Sequence, residues 1–186
     1  MNEPHDLVER VDRLEACEAI RQLAARHALL LDARDLTGLA ELYVPDVQVP
    51  DGTVGRAALA AWFRDGLQPF GVTFHLVGGH VIDLDATDPD RATGSVSSRQ
   101  EYEDGDRWMV VAAIEEDAYQ RVEGRWRFAS RTTHAFYGAD LREHPLQAED
   151  RWSFDEPPPG LTRDLPDRWP TWRAAWGGPA AEPRRA

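Results

Sequence analysis

A change of hydrophobic period near residue 72 constrains this chain more than any other feature. Before it, apolar residues recur at three- and four-residue steps; after it they alternate, so a helical half precedes a strand half. Leu7, Val11, Leu14, Cys17, Ile20, Leu23, Ala24, Leu30 and Leu31 mark one face of a long helix over residues 7–31. Asp35 reads as the N-cap of a short second helix with Leu36, Leu39, Leu42 and Tyr43 on one side, ending before Pro45. Residues 47–49 fit a brief strand, and residues 57–67 a third helix that buries Leu59, Trp62 and Phe63. Four strand-like segments follow at 73–84, 92–102, 108–120 and 125–137, separated by turn residues at 87–90, 103–106 and 123–124. The expected fold is α+β, with a cone-shaped, curved antiparallel sheet wrapping the N-terminal helices and leaving an apolar-lined mouth.

At 186 residues the chain suits one such domain over residues 1–144 plus an appended segment, 145–186. That segment carries Pro157-Pro158-Pro159, Leu165-Pro166, Trp169-Pro170 and four of the seven tryptophans. Proline opposes regular structure while tryptophan needs a surface to bury against, so the expectation is a wrapping arm or lid, or a dimer contact. Residues 157–159 and 179–186 are low in complexity and fit linker or disorder better than a site. A homodimer or higher homo-oligomer is expected, because an open sheet face and a tryptophan-rich arm both invite burial.

Composition removes several classes of function. The net charge of −12 disfavours nucleic acid and anionic membrane surfaces as partners. The charged start MNEPHDLVER and the lack of any run of about 18 apolar residues predict a cytoplasmic protein without a membrane partner. All 21 basic side chains are arginine, so Schiff-base chemistry and lysine phosphate loops have no amine to use. The single Cys17 and the absence of zinc-type spacing predict no metal. No Gly-x-Ser-x-Gly elbow, His-Glu-x-x-His or Gly-x-Gly-x-x-Gly is present, and a cofactor is not expected. Glu115 and Glu116 are strand neighbours that face opposite ways, so they form no carboxylate pair.

Polar residues on apolar faces are the candidates for chemistry, since burying them is costly unless they are paired or used. His27 falls on the core side of the first helix, as a hydrogen-bonded core histidine or a working one. Asp32 ends the Ala-Leu-Leu-Leu run, as a functional carboxylate or as a loop residue paired with Arg34. Strict alternation groups His75 with Val77 and His80 with Phe74, Leu76 and Ile82; only one of these histidines faces inward unless Gly78-Gly79 forms a bulge. His134 alternates with Trp126, Phe128 and Phe136, which makes it a further interior candidate.

The pattern Glu18-Ala-Ile-Arg-Gln-Leu-Ala-Ala-Arg-His27, Leu31-Asp32, Asp35-Leu36 and Leu42-Tyr-Val-Pro-Asp46 resembles the SnoaL-like branch of the nuclear transport factor 2-like proteins. Phe74-His75-Leu-Val-Gly-Gly-His80, Ala118-Tyr119, Gly124-Arg-Trp126-Arg-Phe128 and Arg131 are similar to that branch's histidine strand and closing hairpin, so the likeness covers about residues 7–140. Within the branch it is nearest to the bile-acid 7α-dehydratase and scytalone dehydratase type, with hexachlorocyclohexane dehydrochlorinase further off. The resemblance implies a cofactor-independent lyase acting on a hydrophobic polycyclic or terpenoid molecule, in steroid or polyketide metabolism. It assigns His75 as general base and Asp32 as the residue that orients it. The dehydratases' tyrosine is replaced by His27, which becomes a candidate proton donor to a leaving hydroxyl. Tyr43, His134, Trp62 and Phe74 complete the expected substrate contacts, with Tyr43 and the histidines as possible hydrogen-bond donors to an enolate. An isomerase or cyclase using the same base, or a non-catalytic ligand-binding or partner subunit of the same fold, are the alternative readings.

Overall fold

A computed structural model of the chain describes residues 4–145, 147 and 151–176; the 179–186 tail lies outside the described residues. Helices α1 (Pro4–Asp32), α2 (Leu36–Glu41) and α3 (Arg56–Leu67) come first. Strands β1 (Thr73–Leu84), β2 (Arg91–Asp104), β3 (Arg107–Val122) and β4 (Arg125–Asp140) follow, then β5 (Leu161–Thr162) and α4 (Pro170–Trp176). The architecture is the expected α+β one, with an unclosed five-stranded sheet in the order β1-β2-β3-β4-β5. β1 to β4 are antiparallel, but β5 runs parallel to β4, so the sheet is mixed and not wholly antiparallel. Two residues in a proline-rich segment carry no period, which is why alternation does not reveal β5.

The helices differ from their sequence-based bounds in small, explicable ways. The Asp35 side chain accepts a 2.9 Å hydrogen bond from the Gly38 backbone N–H, as an N-cap does. Residues 47–49 form only an isolated bridge, Gln48 to Val54, in place of a strand. On α1, packing buries the helix only from Ala16 onward; Leu7, Val11 and Leu14 continue the apolar stripe but stay exposed. The core then gathers Ile20, Leu23, Leu39, Phe63, Met109, Val111 and Phe128 between the helices and the inner sheet face.

Three bulges decide which side chains face that interior. In β1 the register shifts between Val77 and His80, so Gly78 and Gly79 together stand opposite Ser97. Both His75 and His80 therefore face inward, while Phe74, Leu76 and Val81 are more than half exposed on the outer face. In β4 the register shifts opposite Ala118/Tyr119 and again opposite Ala112/Ala113, adding Ala129 and Phe136 to the strand. The first of these turns His134 away from the face of Trp126 and Phe128. It pairs across to Ile114 and is buried from outside by the arm, through Nδ1 to Asp164 at 2.8 Å. The interior position expected for His134 is thus corrected by one inserted residue.

The arm docks where β4 lacks side chains. The Ser153 N–H donates to the Gly138 carbonyl at 2.7 Å, and the Arg107 Nη1 donates to the Ser153 carbonyl at 2.8 Å. Phe154 and Leu165 are buried, and the Phe154 ring contacts Phe70, Tyr102 and Trp152. A Cβ at Gly138 would sit 2.8–2.9 Å from the Phe154 and Trp152 rings, closer than carbon atoms can approach. Gly138→Ala is expected to cost about 1–3 kcal/mol in urea unfolding and to red-shift tryptophan emission as Trp152 is displaced.

Candidate active site

The site begins where α1 ends. Arg34 adopts a left-handed φ of 58°, turning the chain after Asp32, and its guanidinium clamps the start of β1. Its Nη1 donates to the Leu31 carbonyl at 3.0 Å and to Thr73 Oγ1 at 2.8 Å, and its Nη2 donates to the Gly71 carbonyl at 2.7 Å. Thr73 Oγ1 in turn donates to Asp32 Oδ1 at 2.8 Å. Arg34 therefore supports Asp32 through Thr73, not by a direct ion pair in the loop.

Asp32 receives His75 twice. The His75 backbone N–H donates to Oδ2 at 2.9 Å, and its ring Nδ1 lies 2.6 Å from Oδ1. Burial alone would raise the Asp32 carboxyl, but the hydrogen bonds and charge of His75, with the Thr73 hydroxyl, outweigh it and hold the group below 3.8. An ionised carboxylate only accepts, so Nδ1 carries the ring proton and Nε2 presents a lone pair.

Next to Nε2, at 3.2 Å, is the Tyr102 hydroxyl, whose own proton goes to Gln100 Oε1 at 2.7 Å. The Gln100 amide is oriented by Glu115, since its Nε2 donates to Glu115 Oε1 at 3.0 Å and a carboxylate oxygen demands a donor. With its proton committed, Tyr102 presents an oxygen lone pair toward Nε2.

A second polar group lies deeper. Arg131 donates from Nε and Nη2 to the two oxygens of Asp117 at 2.8 and 2.7 Å, and its guanidinium stacks 4.5 Å over Phe128. Asp117 also accepts from the Tyr119 hydroxyl, which lies 3.1 Å from His80 Nε2. Both charges are buried, so each depends on the other, and removing one partner of such a pair costs about 3–5 kcal/mol.

Around these groups is a cavity of about 550 Å³. Its apolar wall includes Leu31, Val47, Leu59, Trp62, Phe63 and Val77; its polar residues include His27, Tyr43, His75, Ser98, Gln100, Tyr102, Glu115 and Arg131. Pro159, Gly160, Leu161 and Thr162 of the arm also line it. His27 Nε2 lies 3.0 Å from the Tyr43 hydroxyl, and its ring meets Phe63 and Phe128 edge-on. Burial, then the charges of Arg131 and His75, hold the His27 imidazole well below 6.5, so it is neutral at pH 7. Burial likewise raises the Tyr43 phenol, despite Arg131.

With this geometry in view, sequence comparison identifies the class: the SnoaL-like domain family matches residues 12–132, and the chain belongs to it. No curated protein matches the sequence. Among solved structures the fold is similar to a scytalone dehydratase-like protein from Novosphingobium aromaticivorans, at 20% identity, 73% of this chain, 93% of that one and a TM-score of 0.60. It is similar to an NTF2-like protein of cystatin-like fold from the same species, at 27% identity, 72% and 90% coverage and a TM-score of 0.59. It is also similar to the type-3 hexachlorocyclohexane dehydrochlorinase of Novosphingobium barchaimii, at 19% identity, 73% and 96% coverage and a TM-score of 0.62.

Of the residues expected in the site, His75 with Asp32, and His27 with Tyr43, form two hydrogen-bonded pairs, and Trp62 lines the same cavity. Phe74 does not: as an outward neighbour of His75 it is 51% exposed on the other side of the sheet. His134 lies outside the cavity lining, on the arm side of β4. His27 enters as a neutral ring, which removes the imidazolium form that would protonate a leaving group. Thr73, Gln100, Tyr102 and Glu115 were not anticipated. The signal available was alternation, for Ser98, Gln100 and Tyr102 share a face of β2 with Val96, as Glu115 and Asp117 share a face of β3 with Val111 and Ala113.

The neutral His27 has a stability consequence. Its folded pKa is below the unfolded 6.5, so the unfolded chain binds the proton first; stability is complete above 6.5 and falls as pH drops below it. His80, also lowered mainly by burial, acts in the same direction, whereas the Asp32 contribution is lost only further down, as pH falls through its depressed value. Urea unfolding between pH 7.5 and 5.5 is expected to show a loss of about 1 kcal/mol in total from His27, most of it below pH 6.5 and absent in His27→Gln.

Proposed function

We propose that this chain is a cofactor-independent lyase that eliminates water from a hydrophobic polycyclic or terpenoid small molecule, with His75 as general base oriented by Asp32. The observation that carries this reading is the 2.6 Å contact of His75 Nδ1 with Asp32, which leaves Nε2 as the proton acceptor at the cavity. The likeness in fold to a scytalone dehydratase-like protein and to a dehydrochlorinase supports elimination, and steroid-like substrates are suggested only by the resemblance of the motifs around His27, Asp32 and His75 to the bile-acid 7α-dehydratase type.

Nε2 takes the proton from the carbon next to a carbonyl. Asp32 compensates the imidazolium through Nδ1–H, and the new Nε2–H donates to the Tyr102 oxygen, whose own proton already points at Gln100. The electron pair passes to the carbonyl oxygen as an enolate, for which Tyr43, braced by His27, is the hydrogen-bond donor. The imidazolium then returns its proton to the β-hydroxyl; the C–O bond breaks, water leaves and a C=C bond forms. The apolar wall of Trp62, Phe63 and Leu59 binds the ring system, and the arm residues Pro159 to Thr162 act as a roof that limits water.

A mass-spectrometric screen of β-hydroxy ketone steroids and terpenoids is expected to show loss of one water with the native protein. His75→Ala and Asp32→Asn should each lower kcat/KM by roughly 10²–10⁴-fold. Unchanged mass with an altered retention time would transfer the same base to isomerisation. Equal ligand binding by both variants, with no reaction by the native protein, would remove catalysis from the reading.

A further inference from the structure

Glu115 is a charged group that the elimination does not use. It sits on the inner face of β3, opposite Thr133 of β4, 5% exposed and on the cavity wall. Its Oε1 accepts from Ser98 Oγ at 2.6 Å and from Gln100 Nε2 at 3.0 Å, two donors that hold the carboxylate in one orientation. Its Oε2 is buried, and no described group of the protein donates to it. Arg131, a cation on the same cavity, spends Nε and Nη2 on Asp117.

A buried, directed acceptor that the fold leaves unpaired is a large standing cost in an otherwise optimised interior. Such costs are kept where something outside the chain supplies the missing donor. The surroundings say what kind of molecule that is. Trp62 and Phe63 offer an aromatic wall on the cavity that Glu115 also lines, a surface suited to an apolar ring system.

We propose that Glu115 Oε2 accepts a hydrogen bond from the ligand, so that the substrates of this cavity are apolar ring systems bearing a hydroxyl or a protonated amine distinct from the reacting group. Gln100 and Tyr102 bridge Glu115 to His75, so this recognition point and the base are held at a set separation by one hydrogen-bonded chain. The inference rests on the cavity being the small-molecule site of the proposed function, but not on His75 performing chemistry.

Direct binding titrations with 2-naphthol, 2-methoxynaphthalene and 2-naphthylmethylammonium separate the two. The native protein is expected to bind 2-naphthol or the ammonium at least about tenfold more tightly than the methyl ether, the strength of a charge-assisted hydrogen bond. Tighter binding of the ammonium identifies a cationic substituent, and tighter binding of the naphthol a neutral hydroxyl. In Glu115→Gln that preference should fall to about threefold or less while the methyl ether binds as before, because the amide nitrogen now meets the donor. His75→Ala should keep the native preference, so a failed elimination assay leaves this result standing. Equal affinity of the native protein for all three probes, which needs no variant to fold, would overturn the proposal, as would an unchanged preference in a folded Glu115→Gln.

Discussion

The carboxylate of Asp32 joins the helical half of the molecule to the sheet. It is the last residue of α1, yet its three hydrogen bonds all come from the first residues of β1, two of them from His75 alone. An ionised group this close to an apolar core survives only if its acceptors are filled, and filling them brings the strand's start to the helix's end. Arg34 completes the joint by tying residues 31, 71 and 73 together. The position of the base, its tautomer and the direction of its free nitrogen all follow from this one connection.

From His75 the polar wall continues through Tyr102, Gln100 and Glu115 to Ser98, each group oriented by the next. Such a chain is rigid because each link fixes the orientation of the next, with only Glu115 Oε2 left without a described donor, and a change at one end alters the proton positions at the other. The Asp117–Arg131 pair is separate from it and stabilises the deeper interior, with Tyr119 and His80 as further members. Two networks in one sheet face thus have different tasks. One is open to the cavity through His75 and Glu115, and the other is largely consumed internally.

The arm adds the last surface. It reaches the sheet over Gly138, pins itself to the outer face through His134 and Asp164, and lays residues 159–162 along the cavity. His134 is therefore informative in a way its sequence position did not suggest, as the anchor of a covering segment and not as a site residue. Its burial, which alternation predicted, is real; the face on which it is buried is the opposite one.

The order of elements, the N-cap at Asp35 and the capacity for burial of Leu23, Phe63 and Phe128 were readable from the residues themselves, whereas the pairing of His75 with Asp32 came only from the family resemblance. Period, capping chemistry and motif spacing are local properties, and they survive whatever the rest of the chain does. The faces of His80 and His134, the exposure of Phe74, the parallel β5 and the neutrality of His27 were decided by tertiary structure. A single extra residue in a strand inverts every side chain beyond it, and whether it is accommodated depends on the partner strand's register, which no local pattern carries. Likewise the charge state of a histidine depends on how much water and which charges surround it, and those neighbours come from the segment after α2, from α3 and from β4 only after the chain has folded.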